Sequence, residues 1–272
     1  MLVSDAGFEK GSMTETELIF TAILKCDRVS LYLDKERRLS GNQGARIAGA
    51  LRRRMSGEPL AYILGSCEFM GLEFKVDPRC LIPRPETELL VEAVIRRAGS
   101  AGKGLTIADI GTGSGAIAVS LAKFLPSAKI IAGDISEPAL ELARENAAAN
   151  DVAERIVFMR ADLLSGLREG ACDIIVSNPP YVVSGEIDGL EPEVRSEPRL
   201  ALDGGPDGLD FYRKMCAQAS RFLRARGLLF MEIGAGQCPP VCAMVRETGL
   251  LEVIDRIKDY SAIERVIVAA RS

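Results

Sequence analysis

Two periodicities divide the chain. Up to about Gly65 the apolar positions recur at helical spacing: Leu18, Ile19, Ala22 and Ile23 between Thr16 and Lys25, then Ile47, Ala48 and Leu51 between Ala45 and Met55. Breaks are expected at Gly41-Asn42 and at Gly57-Glu58-Pro59. From Cys67 to Leu81 the period shortens, with Phe69, Leu72, Phe74 and Val76 around Gly71, which predicts a short hairpin linking two domains. Pro83 and Pro85 then stiffen an extended entry, and Glu86 to Glu88 open a helix reaching about Ala98.

Beyond Leu105 short β-rich runs alternate with helical ones. Strands are expected at Thr106 to Ile110, Lys129 to Gly133, Ile156 to Arg160, Cys172 to Ser177, Gly227 to Ile233, Val253 to Ile257 and Arg265 to Ala270. Helices fill the gaps at Ala116 to Phe124, Pro138 to Asn150, Leu209 to Leu223 and Pro240 to Thr248. Such alternation predicts an α/β fold, a doubly wound and mostly parallel seven-stranded sheet covered on both faces. Ligands of such sheets bind beyond the carboxyl ends of the strands. The expected division is a helical domain over 1–65, the hairpin over 66–81 and the sheet domain over 82–272.

Composition removes several classes. With 47% hydrophobic and 26% charged residues in 272, the chain is neither disordered, collagen-like nor a disulfide knot. Histidine is absent, which excludes Ser-His-Asp triads, Cys-His nucleophiles and His-bearing metal sites. The cysteines Cys26, Cys67, Cys80, Cys172, Cys216, Cys238 and Cys242 form no C-x-x-C, and Cys238 with Cys242 lacks the second pair a zinc site needs. Reduced, mostly buried thiols and a cytoplasmic location are therefore expected, with no metal. Asp5, Glu9 and Lys10 speak against a signal or transit peptide, and no apolar run is long enough to span a membrane. A net charge of −4 argues against a duplex-binding surface. Basic residues do gather from Lys35 to Arg54, through Arg37, Arg38, Arg46, Arg52, Arg53 and Arg54, either as a solvated face or as a docking surface for an acidic partner.

Four strand ends carry the chemistry. Asp109-Ile110-Gly111-Thr112-Gly113-Ser114-Gly115-Ala116 joins the first strand of the sheet to a helix, where glycines permit close backbone approach and the helix N-terminus offers free N–H groups to a nucleotide-like ligand. The string also satisfies the dinucleotide fingerprint, so it fits NAD and S-adenosylmethionine alike. Asp134 ends the next strand and can accept from both ribose hydroxyls, or cap the helix at Pro138. Asp162 ends the third, placed to take an adenine amino group while Leu163 covers the ring, or to serve as a loop acid. Asn178-Pro179-Pro180-Tyr181 follows the apolar strand Asp173 to Ser177; the two prolines fix the backbone and turn carbonyls into the cleft. The Asn178 amide oxygen and the Pro179 carbonyl can then accept both hydrogens of a planar –NH2 group, with Tyr181 as a flat surface beside it.

Such a turn suits methyl transfer to a weakly nucleophilic nitrogen. Its lone pair is delocalised, so the protein must hold it in line with an activated methyl about 3 Å away; positioning of this kind is worth about 7 to 11 kcal/mol. With these strings in place the chain resembles, over nearly its full length, the protein-(glutamine-N5) methyltransferases that modify peptide chain release factors, the HemK/PrmC family. The matching strings are Gly57 to Gly65 (GEPLAYILG), Ile82 to Glu88 (IPRPETE), Asp109 to Ala116 (DIGTGSGA), Ser177 to Tyr181 (SNPPY) and Asp203 to Asp210 (DGGPDGLD).

The resemblance implies a Rossmann-like S-adenosylmethionine-dependent methyltransferase fold and methyl transfer to the glutamine of a release factor Gly-Gly-Gln loop, with S-adenosyl-L-homocysteine as the second product. By matching position Gly111, Thr112, Gly113, Ser114, Gly115 and Ile135 would line the cofactor, Asp134 would hold its ribose and Asp162 and Leu163 flank its adenine, while Glu86 and Thr87 belong to a segment closing over it. Asn178 and Pro179 would hold the glutamine amide, with Pro180, Tyr181, Glu197 and Pro198 completing the substrate side and the helical domain gripping the release factor. A monomer is expected, with no direct nucleic-acid or membrane contact. The segment before Tyr62 is shorter than the family's, and Ser196 stands where the family commonly has an aromatic before Glu-Pro. Competing readings are an amino-methyltransferase of a flipped nucleic-acid base, which would want a basic channel; a nicotinamide dehydrogenase, which leaves the Asn-Pro-Pro-Tyr turn without a role; and a cofactor-binding module without catalysis.

Overall fold

The computed structural model describes residues 13–34, 38–101 and 104–272, so Asp5, Glu9, Lys10, Lys35 and Arg37 lie outside the described residues. The chain forms two compact units, Met1–Leu64 and Gly65–Ser272.

The first unit is helical: α1 (Glu15–Leu24), α2 (Arg28–Leu33), α3 (Gly41–Met55) and α4 (Leu60–Leu64). A break at Gly41-Asn42 is not found; α3 starts there, because Ser40 and Gln43 form a capping box whose side chains each accept the other's backbone N–H, at 3.2 and 3.0 Å. Glu17 ties α1 to α2 by accepting from Arg28 at 2.9 Å and from the Tyr32 hydroxyl at 2.7 Å. The arginine run fans out as the helical period requires. Arg53 pairs with Glu58 at 2.7 Å and Arg54 with Glu15 at 2.8 Å, so these two charges are spent within the unit.

The second unit opens with the hairpin β1 (Ser66–Phe69) and β2 (Leu72–Lys75). Its two-residue turn, Met70 and Gly71, has φ of 53° and 68°, the left-handed pair that matches strand twist. Helix α5 (Pro85–Ala101) follows, then β3 (Thr106–Ile110), α6 (Ala116–Phe124), β4 (Lys129–Asp134), α7 (Glu137–Ala149), β5 (Ile156–Arg160) and β6 (Cys172–Ser177). The short helices α8 (Pro192–Arg195) and α9 (Arg199–Leu202) lead to α10 (Asp210–Phe222), β7 (Leu223–Glu232), α11 (Cys238–Glu247), β8 (Leu251–Lys258) and β9 (Glu264–Arg271).

Among the described residues seven strands form one sheet in the order β5-β4-β3-β6-β7-β9-β8. Pairs β3·β4, β4·β5, β3·β6 and β6·β7 are parallel, and β9 alone runs against both neighbours. The sheet is thus the expected doubly wound α/β sheet, with one reversed strand. One face buries Leu90, Val94 and Leu121 together with the hairpin's Phe69 and Phe74; the other buries Tyr212, Met215, Val241 and Val245 from α10 and α11. The chain progresses outward from β3 in one direction and from β6 in the other, which opens a crevice at the carboxyl ends of these two strands. No helix among the described residues is long and apolar enough to cross a membrane.

Candidate active site

The crevice between β3 and β6 is a cavity of ≈ 330 Å³. Ser177, the last residue of β6, locks the two strands together there by donating to the Ile110 carbonyl at 2.6 Å. Gly111, Gly113 and Gly115 have φ of 75°, 54° and 81°. A Cβ on Gly111 or Gly113 would meet nothing within 4 Å, whereas one on Gly115 would sit 3.0 Å from Ala143 Cβ. The first two glycines therefore keep the loop open on its ligand side, and the third lets α7 pack against it. Asn146 of α7 completes the support, donating to the Ser114 carbonyl at 2.8 Å while exchanging two hydrogen bonds with the backbone of Lys75. Beneath the loop, Asp109 accepts from Thr112 at 2.6 Å and burial pushes its carboxyl up to about 7.

Asp134, at the end of β4, accepts from the N–H groups of Gly113 and Ser136, both at 2.9 Å. Each carboxylate oxygen keeps a lone pair for a ligand hydroxyl, and burial raises its pKa despite these bonds. Asp162, Leu163 and Ile135 line the same cavity as Gly111, Thr112, Gly113 and Ser114. Leu163 is buried with φ of 52°, which turns the chain back at the cavity wall. This is an adenosine-shaped donor and acceptor set: open glycine backbone, a strand-end carboxylate and an apolar cover. It fits S-adenosylmethionine.

On the β6 side Asn178 and Pro180 line the cavity, while Pro179 and Tyr181 are not among its lining residues. Asn178 Nδ2 donates to Thr87 Oγ1 at 3.0 Å, and its carbonyl oxygen has no hydrogen-bond partner among the described residues. Thr87 is buried in the first turn of α5 and lines the cavity, while Glu86 is exposed and does not. The Tyr181 backbone is clamped: its carbonyl accepts from Gln237 at 3.1 Å, and Cβ atoms on Gly204 and Gly208 would lie 2.7 Å from its Cα and 2.6 Å from its carbonyl oxygen. The Asp203 to Asp210 string is thus a glycine bed on which this turn rests. Burial pushes the Tyr181 hydroxyl up, with the nearby Glu232 charge adding to it.

Pro198 reaches the cavity wall, but Glu197 does not. The Glu197 carboxylate is buried, accepting from the Ile82 N–H at 2.9 Å and pairing with Arg84. It anchors the Ile82 to Arg84 segment to the loop between α8 and α9. Ser196 is exposed and turns its hydroxyl to the Pro192 carbonyl at 2.9 Å, closing α8. Sequence reasoning missed Arg79, Phe211 and Lys214 on the cavity wall, and Asn146 and Glu232 behind it. Glu232 had a visible signal: like Asp109 and Asp134, it is an acid at the carboxyl end of an apolar strand. The others carry none, since their positions depend on how α7 and α10 pack.

Two family models match the chain, a methyltransferase small domain over residues 85–190 and a PrmC N-terminal domain over residues 5–65. The release factor glutamine methyltransferase of Moorella thermoacetica is 43% identical over 98% of this chain and 94% of its own length. That of Geobacter sulfurreducens is 42% identical, over 97% and 91%. Among solved structures a methyltransferase from Pyrococcus furiosus shares the fold, with a TM-score of 0.56 and 19% identity over 85% of this chain and 98% of that one. Identity of this extent along nearly the whole length, with both family models matched in order, places the chain: it belongs to the release factor glutamine methyltransferases.

Proposed function

We propose that the protein transfers a methyl group from S-adenosyl-L-methionine to the side-chain amide nitrogen of the glutamine in the Gly-Gly-Gln loop of a peptide chain release factor. The observation that carries this reading is the Asn178 amide, whose nitrogen is spent on Thr87 while its oxygen is left to the cavity shared with the glycine loop. When bound, the cofactor supplies a sulfonium methyl already activated toward a nucleophile. Gly111 to Gly115 and Asp134 hold it through loop backbone and ribose, with Ile135, Asp162 and Leu163 around the adenine. Thr87 closes the site above Asn178, with Glu86 at the rim.

Asn178 Oδ1 and the Pro179 carbonyl accept both hydrogens of the substrate amide. This holds the nitrogen in line and stabilises the positive charge that develops on it, at about 1.5 to 3 kcal/mol for each charged hydrogen bond. Pro180 forms the wall against which the amide lies, with Tyr181 next to it in the turn, Pro198 borders it, and Glu197 fixes that border through Arg84. The proton leaves after methylation, when the nitrogen has become acidic, so a histidine is not required. The net charge of −4 and the buried thiols Cys80, Cys172, Cys216, Cys238 and Cys242 support a cytoplasmic enzyme without direct nucleic-acid contact, and we take it as a monomer.

The test is intact and peptide mass spectrometry of a recombinant release factor incubated with the protein and S-adenosylmethionine. One methyl mass on the Gly-Gly-Gln glutamine is the expected result. No gain while cofactor binding is confirmed by calorimetry overturns the substrate assignment.

A further inference from the structure

An asparagine is an acceptor only if its amide is held the right way round. Turned by half a rotation, Asn178 would present its NH2 group to the cavity and oppose the hydrogens of a substrate amide. The Thr87 hydroxyl prevents this by accepting from Nδ2, and it can do so stably only if its own proton has somewhere to go. Glu232, the last residue of β7, is the group behind it. Glu232 is 2% exposed, Thr87 and Asn178 both face its carboxyl, and its Oε2 finds no hydrogen-bond partner among the described residues. Nothing in the proposed reaction uses this acid, and an unused buried carboxyl is costly to keep.

We propose that Glu232 is the positioning residue that sets the Asn178 amide: its carboxylate accepts a hydrogen bond from the Thr87 hydroxyl, the Thr87 oxygen is thereby fixed as the acceptor for Asn178 Nδ2, and Asn178 Oδ1 faces the cavity. The catalytic consequence rests on the methyl-transfer reading; the link from Glu232 to Asn178 does not. A charged Glu232 also polarises the chain toward the cavity, making Asn178 Oδ1 a stronger acceptor for the positive charge on a methylated nitrogen. A protonated Glu232 has a hydrogen to donate to Thr87, which lets the hydroxyl turn and releases the amide.

The balance between these forms lies near neutrality. Burial pushes the Glu232 carboxyl up to about 7, against the opposing pull of Thr87, Arg265 and Asn178, while Glu86 adds to the rise. These groups reach it from every side: Glu86 and Thr87 from α5, Asn178 and Tyr181 from the turn after β6, and Arg265 from β9. From α10 comes Tyr212, whose hydroxyl donates to the Glu232 backbone carbonyl at 3.0 Å. The ion pair of Arg265 with Asp259 at 2.8 Å keeps that guanidinium from neutralising Glu232 outright.

The experiment follows the side-chain amide resonances of Asn178 in the full-length protein by NMR from pH 5.5 to 8.5, with the signals assigned by their loss in Asn178→Ala. The resonances are expected to titrate near pH 7 in the natural sequence, to stay level in Glu232→Gln, and to titrate with a smaller amplitude in Thr87→Val, where only the direct approach of Glu232 to Asn178 remains. In release-factor methylation kcat should fall about tenfold in all as pH drops through the same midpoint and then level off. Glu232→Gln should abolish that step and lower kcat at pH 8 about tenfold, the loss of one charge-assisted hydrogen bond, with the cofactor KM unchanged. An Asn178 signal that ignores pH, or a Glu232→Gln enzyme with the natural pH profile, overturns the proposal. If Glu232→Gln does not fold, the natural titration and Thr87→Val decide. A titrating Asn178 in a protein that leaves release factors unmethylated overturns the methyl-transfer reading and leaves the positioning link standing.

Discussion

Asp134 and Asn178 end strands on opposite sides of β3, and their hydrogen bonds give them different tasks. Asp134 spends half of its acceptor capacity on the glycine loop and on Ser136. Removing it unpins Gly113 and deletes the ribose acceptors together. Asp134→Ala should therefore weaken binding of S-adenosylhomocysteine by about 10- to 100-fold, the loss of one or two charged hydrogen bonds. Asn178→Ala should leave that affinity within a few fold and lower kcat by at least about 100-fold, because its oxygen acts only on the methylated nitrogen. Calorimetry and single-turnover methylation separate the two effects. Equal loss of cofactor affinity in both variants would contradict the roles assigned to them.

The loops that position these residues are packed as closely as any strand. Gly204 meets the Tyr181 backbone where a Cβ would lie 2.7 Å from Cα, so Gly204→Ala must displace the turn that carries Asn178. The expected cost is about 1 to 3 kcal/mol in stability, with kcat reduced and cofactor affinity preserved, read by thermal unfolding beside the methylation assay. An unshifted unfolding midpoint would show that the bed yields. Most of the regular elements were legible because each carries its own period: β3, β5, β6 and α6 lie at the expected bounds. Helices α2, α4, α8 and α9 were not, since four to six residues complete too little of a helical period to stand out. Strand β7 begins earlier than expected, at Leu223, because Arg226 takes φ of 62° and a register shift against β6 absorbs the polar Arg224 to Gly227 stretch. The turn Asp259 to Ile263 is too short for a crossover helix, so the reversal of β9 was implied by spacing that the alternation of elements concealed. In the site, the residues that could be read are those at strand ends, where position alone gives a role. Asn146 and Glu197 act through partners 71 and 115 positions away in sequence, which no local pattern records.

Across the whole molecule the buried acids set the pH at which the fold is most stable. Asp109 and Glu232 have no exposed surface to speak of, at 0% and 2%, and burial raises both to about 7. Each binds its proton more tightly folded than unfolded, where the ordinary values are 3.8 and 4.5. Their contribution is thus fully present below those ordinary values and is lost as pH rises through about 7. The arginine-held carboxylates Glu15, Glu58, Asp77 and Asp259 are shifted the other way, so what they contribute is present above the ordinary values and disappears as pH falls through their lowered ones. The two trends cross on the acid side of neutrality. The unfolding midpoint of the ligand-free protein should accordingly rise by several degrees from pH 8 to pH 6, at about 2 to 4 °C per kcal/mol for a domain of this size, and fall again below about pH 4. Glu232→Gln, which keeps the shape and removes the titration, should flatten the upper limb and raise the midpoint at pH 8 above that of the natural sequence. A midpoint that climbs steadily to pH 8 would mean that neither acid is kept protonated by its surroundings, and that the charge beneath the glycine loop and the charge behind Asn178 are both tolerated at no cost to the fold.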